Sequence, residues 1–209
     1  MNFDLISMKK RSTTLMKGKW NLYIVSFILT VLQIFGVALI IRTMNSHVKL
    51  LLPVYIVVII LVELFRLGFI SSMIKRAEEK EVSFIELFAG FYKNPIKALL
   101  SILLKQIILF VGFLLLYVPG LIAFYRLRFF YYELMDEDKS IGKCLKDSMD
   151  LMKGNCIELF KIDLSFIGWY LLNLITLGIS SVYVKPFTTI TYVEYYKYLK
   201  GKKEMFSGK

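Results

Sequence analysis

Histidine is almost missing from this chain: His47 is the only one in 209 residues. Cysteine is nearly as scarce. Cys144 and Cys156 are the whole supply, they do not form a CxxC pair, and both fall in a polar connection. A zinc site of the usual kind needs more ligands than this, and two thiols in a connection placed in the cytoplasm are expected to stay free. Phosphate-cradling P-loops, GxGxxG turns and GxxxG helix-dimer spacings are absent as well. No nucleophile has a base at a plausible spacing. Ser165 has no histidine near it, and its distance from Lys161 is a coincidence of sequence. These gaps remove the common routes to metal, cofactor and hydrolase chemistry. The expectation is a protein that is not an enzyme and needs no cofactor.

Acidic residues are also under-represented, 16 against 27 Lys and Arg, which gives a net charge of +11. A nucleic-acid partner would require a solvated basic patch on a fold built to carry it. Here the basic residues sit between long apolar runs instead, so nucleic acid is not expected.

What the chain has in excess is hydrophobic sequence: 57% of residues, with a mean hydropathy of +0.61. About 20 apolar residues, rising about 1.5 Å each, cross a hydrocarbon core of about 30 Å. Runs approaching that length predict an all-α polytopic membrane protein in a single domain. Six transmembrane helices are expected in three hairpins, over residues 20–41, 50–70, 98–118, 121–135, 157–179 and 182–199. Trp20 and Tyr23 would anchor the first at the interface. Pro53 falls in the first turn of the second, where a helix tolerates proline best. Pro119-Gly120 reads as the tight turn between the third and fourth, and the fourth is the shortest. Near the inner end of the sixth, Tyr192, Tyr195, Tyr196 and Tyr198 read as an interfacial belt. The first 19 residues read as a polar lead, and the apolar run behind them is too long for a signal-peptide core.

Two connections carry amphipathic patterns. In SFIELFAGFY (residues 83–92), Phe84, Ile85, Phe88, Phe91 and Tyr92 share one helical face, and Ser83 with Glu86 has capping-box spacing. In IGKCLKDSMDLM (residues 141–152), Ile141, Leu145, Met149 and Met152 repeat the pattern, and Gly154 is placed to cap the C-terminus. Both are expected to lie on the cytoplasmic face as interfacial helices. With both termini inside, 19 Lys and Arg fall on the cytoplasmic side and two, Arg42 and Lys49, fall outside. That bias predicts a multi-pass plasma-membrane protein with cytoplasmic N- and C-termini, its basic segments facing anionic head groups of membrane lipids.

Eight charges interrupt the apolar runs: Glu63, Arg66, Lys105, Arg126, Arg128, Lys161, Asp163 and Glu194. On the expected topology all lie near the midplane or toward its cytoplasmic side, and Lys185 stands apart near the outer surface. Left unpaired, eight such charges would cost on the order of 20 kcal/mol. Lys161 and Asp163, two positions apart, face opposite ways. Glu158 can pair with Lys161, which shares a face with Ser165 and Gly168, while Asp163 needs a partner from another span. One reading is a structural layer of ion pairs and snorkelling side chains. The other is a water-filled, net-positive vestibule open to the cytoplasm and suited to an anionic ligand.

The C-terminal third carries a recognisable pattern. Ser140 to Leu172 holds the stretch LMKG-N…LF…LSFIGW…LL, and Thr176-Leu177-Gly178-Ile179 leads to Lys185-Pro186-Phe187. Upstream is Val118-Pro119-Gly120-Leu121-Ile122. The chain resembles domain-of-unknown-function family 975, bacterial multi-span integral membrane proteins, over roughly residues 10 to 200. Phe187 stands where that family is expected to have tyrosine. A fainter likeness, to membrane domains attached to glycerophosphodiesterases, is at the level of fold alone. The resemblance implies a bacterial membrane fold and no activity. The expected function is therefore an accessory, membrane-homeostasis or peptide-immunity factor that binds lipid, peptide or protein. The alternative is a small transporter or channel built on the charged vestibule.

Overall fold

The computed structural model describes residues 4–44, 52–115, 117–136 and 138–207. Regular structure among them is entirely helical, as the hydrophobic patterning predicts. The polar lead is itself a helix, α1 (Leu5–Met16), with the Asp4 carboxylate accepting from the Ile6 N–H as its N-cap. The connection through Lys17, Gly18 and Lys19 bends the chain by 98° into α2 (Trp20–Met44). Gly18 takes φ +73° there, a backbone conformation glycine adopts without steric cost. Of the expected outer loop, residues 42–49, the first three continue α2 and the rest, with His47, lies outside the described residues.

Helix α3 (Leu52–Ala77) is the central element, packed against α2, α5 (Pro95–Leu115), α7 (Phe130–Asp136) and α11 (Ser181–Ser207). Its stretch from Leu67 to Ile74 is buried all round, so the helix has neighbours on every side there. Phe129 and Tyr132 pack their rings against Tyr195 and Tyr196 of α11, all of them buried. Hydroxyls stitch the layers together. Thr30 on α2 shares a 2.7 Å hydrogen bond with Ser181, and Thr191 on α11 donates to Ser12 on α1 at 3.1 Å.

The six expected membrane spans reduce to fewer. By length and composition two helical stretches are long and apolar enough to cross a membrane, Ile56–Ala77 and Pro95–Leu114. A third is added if the bent pair Leu5–Met16 and Trp20–Gly36 forms one span. The expected fourth span is broken at residues 127–129 into α6 (Tyr117–Arg126) and α7, of 10 and 7 residues. The fifth is broken at Phe166 (φ −101°, ψ 0°) into α9 (Cys156–Ser165) and α10 (Ile167–Ile175), of 10 and 9 residues. At about 1.5 Å per residue none of these four reaches across about 30 Å. The sixth lies within α11, which is long enough but too polar, carrying Lys185, Glu194 and Lys197. Its tyrosines are not a belt. Tyr192, Tyr195 and Tyr196 are buried in the protein core.

Pro119-Gly120 is not the turn. Both lie inside α6, which folds back along α5 so tightly that a Cβ on Gly120 would stand 2.9 Å from the Phe113 Cα. The first amphipathic stretch is a 3-10 helix (Phe84–Phe88) running into the short α4 (Ala89–Tyr92). It has no capping box. Glu86 turns inward, accepting from Ser71 Oγ at 2.7 Å and from Lys75, while Phe84, Ile85 and Tyr92 are exposed. The second stretch is α8 (Ile141–Met152), followed by Gly154 at φ +81° as the C-terminal cap requires. Its buried face is Cys144, Ser148, Leu151 and Met152, while Met149 is exposed. Both cysteines are free thiols.

Candidate functional site: a cationic cavity between the long helices

On α3, Glu63 and Arg66 are three residues apart and therefore share a face, with Arg66 Nη1 3.3 Å from Glu63 Oε1. Opposite them α5 presents Lys105, whose Nζ lies 3.7 Å over the centroid of the Tyr131 ring. Arg66 approaches the same ring at 6.0 Å. The break between α6 and α7 delivers Arg128, with its guanidinium carbon 4.4 Å over the Tyr192 ring. From α11 comes Lys185, donating to Gln33 Oε1 and, at 3.3 Å, to Thr30 Oγ1 on α2. These side chains line one cavity of about 360 Å³, together with Tyr132, Tyr170, Thr188 and Thr189. Four cations and a single carboxylate thus face the same space. Tyrosine faces hold three of the cations, Arg66, Lys105 and Arg128, by cation–π attraction, which helps to keep them aimed inward.

Asp163 stands behind this wall. It accepts from Tyr192 OH, and its Oδ1 is 3.8 Å from Arg128 Nη2. Tyr192 OH in turn meets Tyr170 OH at 3.0 Å. The partner that Asp163 needs from another helix is therefore Arg128, backed by Tyr192. Two polar atoms on the wall are buried without a hydrogen-bond partner, Glu63 Oε2 and Tyr131 OH.

The eight charges singled out from the sequence do not form one layer. Glu63, Arg66, Lys105 and Arg128 line the cavity, and Asp163 supports it. Arg126 does not line it, and its backbone carbonyl instead receives Ser148 Oγ at 2.9 Å. Lys161 is exposed on α9 and makes no ion pair among the described residues. Its expected partner Glu158 accepts from Tyr195 OH instead, at 3.0 Å. The expected shared face with Gly168 is lost at the Phe166 break, and a Cβ on Gly168 would meet nothing within 4 Å. Glu194 pairs across the α1–α11 contact with Arg11 at 3.4 Å. Lys185, set apart near the outer surface in the sequence reading, joins the cavity. The signal for it was present: Lys185, Thr188, Thr189 and Tyr192 fall at i, i+3, i+4 and i+7, a polar face along α11.

Among the described residues no group of three or more His, Cys, Asp or Glu side chains is placed to hold a metal ion. The fold and site together define an all-α protein with membrane-length helices gathered around a cationic cavity. Over residues 113–203 the chain matches the model of a family described as protein of unknown function (DUF975). All the motif residues that carry the resemblance fall inside that match, which is narrower than the 10–200 read from the sequence. No curated protein and no solved structure matches the chain. The cavity straddles the edge of the matched region. Arg128, Tyr170, Lys185 and Tyr192 lie within it, and Glu63, Arg66 and Lys105 precede it.

Proposed function

We propose that this is an integral protein of the bacterial plasma membrane, with cytoplasmic termini, that binds an anionic ligand in the cavity and does not transform it. The observation that carries the reading is the convergence of Arg66, Lys105, Arg128 and Lys185 on one space with two carboxylates against four cations, Glu63 in its wall and Asp163 behind Arg128. Each cation held near the middle of a membrane costs about 3 kcal/mol on insertion scales. A purely structural arrangement gains nothing from an unneutralised surplus, whereas a bound anion offsets it. The lining supplies cations, phenols, hydroxyls and one carboxylate, a set that can hold a charged group in place. The short helices α6, α7, α9 and α10 are compatible with membrane depth because broken helices are tolerated where protein or a polar cavity covers the break. An accessory role in membrane homeostasis, or in protection against a membrane-active peptide, follows if the bound species is a lipid or an acidic peptide group.

A second reading, a small transporter, is favoured by one feature. The interruptions at residues 127–129 and at Phe166 fall beside Arg128 and Asp163, and discontinuous helices next to a charged site are the usual construction of transporter binding sites.

The reading is tested by thermal unfolding of detergent-purified protein with millimolar pyrophosphate. At ten times its dissociation constant an anion adds about 1.4 kcal/mol, a rise of about 4 °C for a chain of this size. Wild type should show that rise, and Arg128→Gln and Lys105→Met, both monodisperse, should not. Equal rises in all three proteins, or no rise in any of them with either pyrophosphate or added phosphatidylglycerol, contradict the reading.

A further inference from the structure

The exposed members of the cavity wall mark its mouth: Gln33, Arg66, Gln106, Phe124 and Tyr170. Arg66 and Gln106 lie near the middle of Ile56–Ala77 and Pro95–Leu114, the two stretches long and apolar enough to cross a membrane. The mouth is therefore at mid-depth on both helices and not at the end of either. What surrounds it is apolar and uncovered. Leu103, Ile107 and Phe110 are exposed beside Gln106 on α5, Leu121 and Ile122 beside Phe124 on α6, and Ile167, Leu171 and Leu174 beside Tyr170 on α10. Helix α10 buries none of its side chains. An approach from the side thus passes over lipid-facing apolar surface, where a free hydrated anion would lose its water before meeting a cation.

Resting on the anion-binding reading, we infer that the ligand is an anionic phospholipid whose phosphate headgroup enters the cavity from the side while its chains stay on the apolar faces of α5, α6 and α10. An amphiphile reaches this mouth because its chains are at home on those faces. Size agrees: about 360 Å³ is at the small end of small-molecule sites, room for a headgroup and not for two acyl chains. The donor set agrees as well. Two guanidinium forks and two ammonium groups offer more hydrogen-bond donors than one carboxylate can accept, and they suit the oxygens of a phosphate.

The test uses the full chain in nanodiscs of phosphatidylcholine containing a minor fraction of phosphatidylglycerol, with native mass spectrometry counting the lipids that remain bound on release. The inference expects one phosphatidylglycerol retained per protein, undisturbed by millimolar glycerol 3-phosphate. Retention should fall by at least about tenfold in Arg128→Gln and Lys105→Met, the loss of one charge-assisted contact. Two neutralised positions are used so that one poorly folding variant does not decide the result. If glycerol 3-phosphate binds and displaces the lipid, the site takes free anions; the inference fails and the anion-binding reading survives. If phosphatidylcholine is retained as well as phosphatidylglycerol, or if neither lipid nor glycerol 3-phosphate is held, both fail.

Discussion

Gly90→Ala is expected to abolish accumulation of folded protein, the largest effect of any single methyl group considered. Gly90 sits in α4 where it crosses α3, and a Cβ there would stand 2.3 Å from the Leu64 carbonyl oxygen and 3.1 Å from the carbonyl carbon. Those atoms are backbone of the central helix and cannot rotate away. Relief requires α3 or α4 to move, and α3 is held by α2, α5, α7 and α11. Overpacking of a filled core costs about 3 kcal/mol at the upper end of its range, a large share of the roughly 5–15 kcal/mol that keeps a domain folded. Gly168→Ala is the matched control. Nothing lies within 4 Å of a Cβ there, and α10 should gain about 0.5–1 kcal/mol of helix propensity. Monodisperse yield and unfolding midpoint of the two variants read the contrast directly. A Gly90→Ala protein as stable as Gly168→Ala would mean that α4 does not sit on α3.

The second large effect is expected at Glu86, which lies outside the membrane-length stretches and is the buried centre of a polar cluster at the C-terminal end of α3. Its carboxylate receives Ser71 Oγ at 2.7 Å and Lys75 Nζ, with Lys93 Nζ 3.5 Å away. Burial pushes its carboxyl up, but hydrogen bonds from Lys75 and Ser71 and the charges of Lys75 and Lys93 hold it below the usual carboxylate range. Glu86→Ala removes the acceptor for all of them and should cost about 2 kcal/mol, that of a charge-assisted hydrogen bond. Glu86→Gln keeps an acceptor for Ser71 and should cost about 1 kcal/mol, because the lysines are partly in solvent. The sign of the pH dependence follows. A carboxyl with a depressed folded pKa adds stability that is present above its unfolded value, near 4.3, and lost as pH falls through the folded value. Wild type should therefore lose stability on acidification more steeply than Glu86→Gln, measured as unfolding midpoint against pH. Parallel profiles would remove Glu86 from this role.

Much of this architecture is written in local pattern. The 141–152 stretch has a helical period and a glycine at its end, and it folds as α8 with Gly154 in the left-handed region. Charges inside apolar runs are visible to any reader, and four of the eight meet at the cavity. The breaks are not visible, because no proline or glycine marks residues 127–129 or Phe166. At Phe166 tertiary contacts accompany the break instead. Lys9, from α1, donates to the Ser165 carbonyl at the end of α9 and lies 4.2 Å over the Phe166 ring. That ring is fully buried and packs edge-on against Phe187. A partner 156 positions away in sequence cannot be inferred from the apolar run it interrupts. Lys185 stands apart in the sequence reading for a related reason. Counting along an assumed span gives a depth and no neighbours, whereas the Thr30–Ser181 hydrogen bond draws the start of α11 against α2 and sets Lys185 beside Gln33 in the cavity wall.

The central claim is that four cations from separate elements create one positive, ligand-accessible space. It is tested most directly by a cysteine at the mouth, Gln106→Cys with Cys144→Ala and Cys156→Ala. Its reaction rate is compared for a sulfonate-bearing and a trimethylammonium-bearing methanethiosulfonate at low salt. The account predicts that the anionic reagent reacts at least about tenfold faster, equivalent to about 1.4 kcal/mol, and that high salt shrinks the ratio. Adding Lys105→Met and Arg128→Gln should bring the ratio close to one. Equal rates, a faster cationic reagent, or a ratio unmoved by those two substitutions would contradict it.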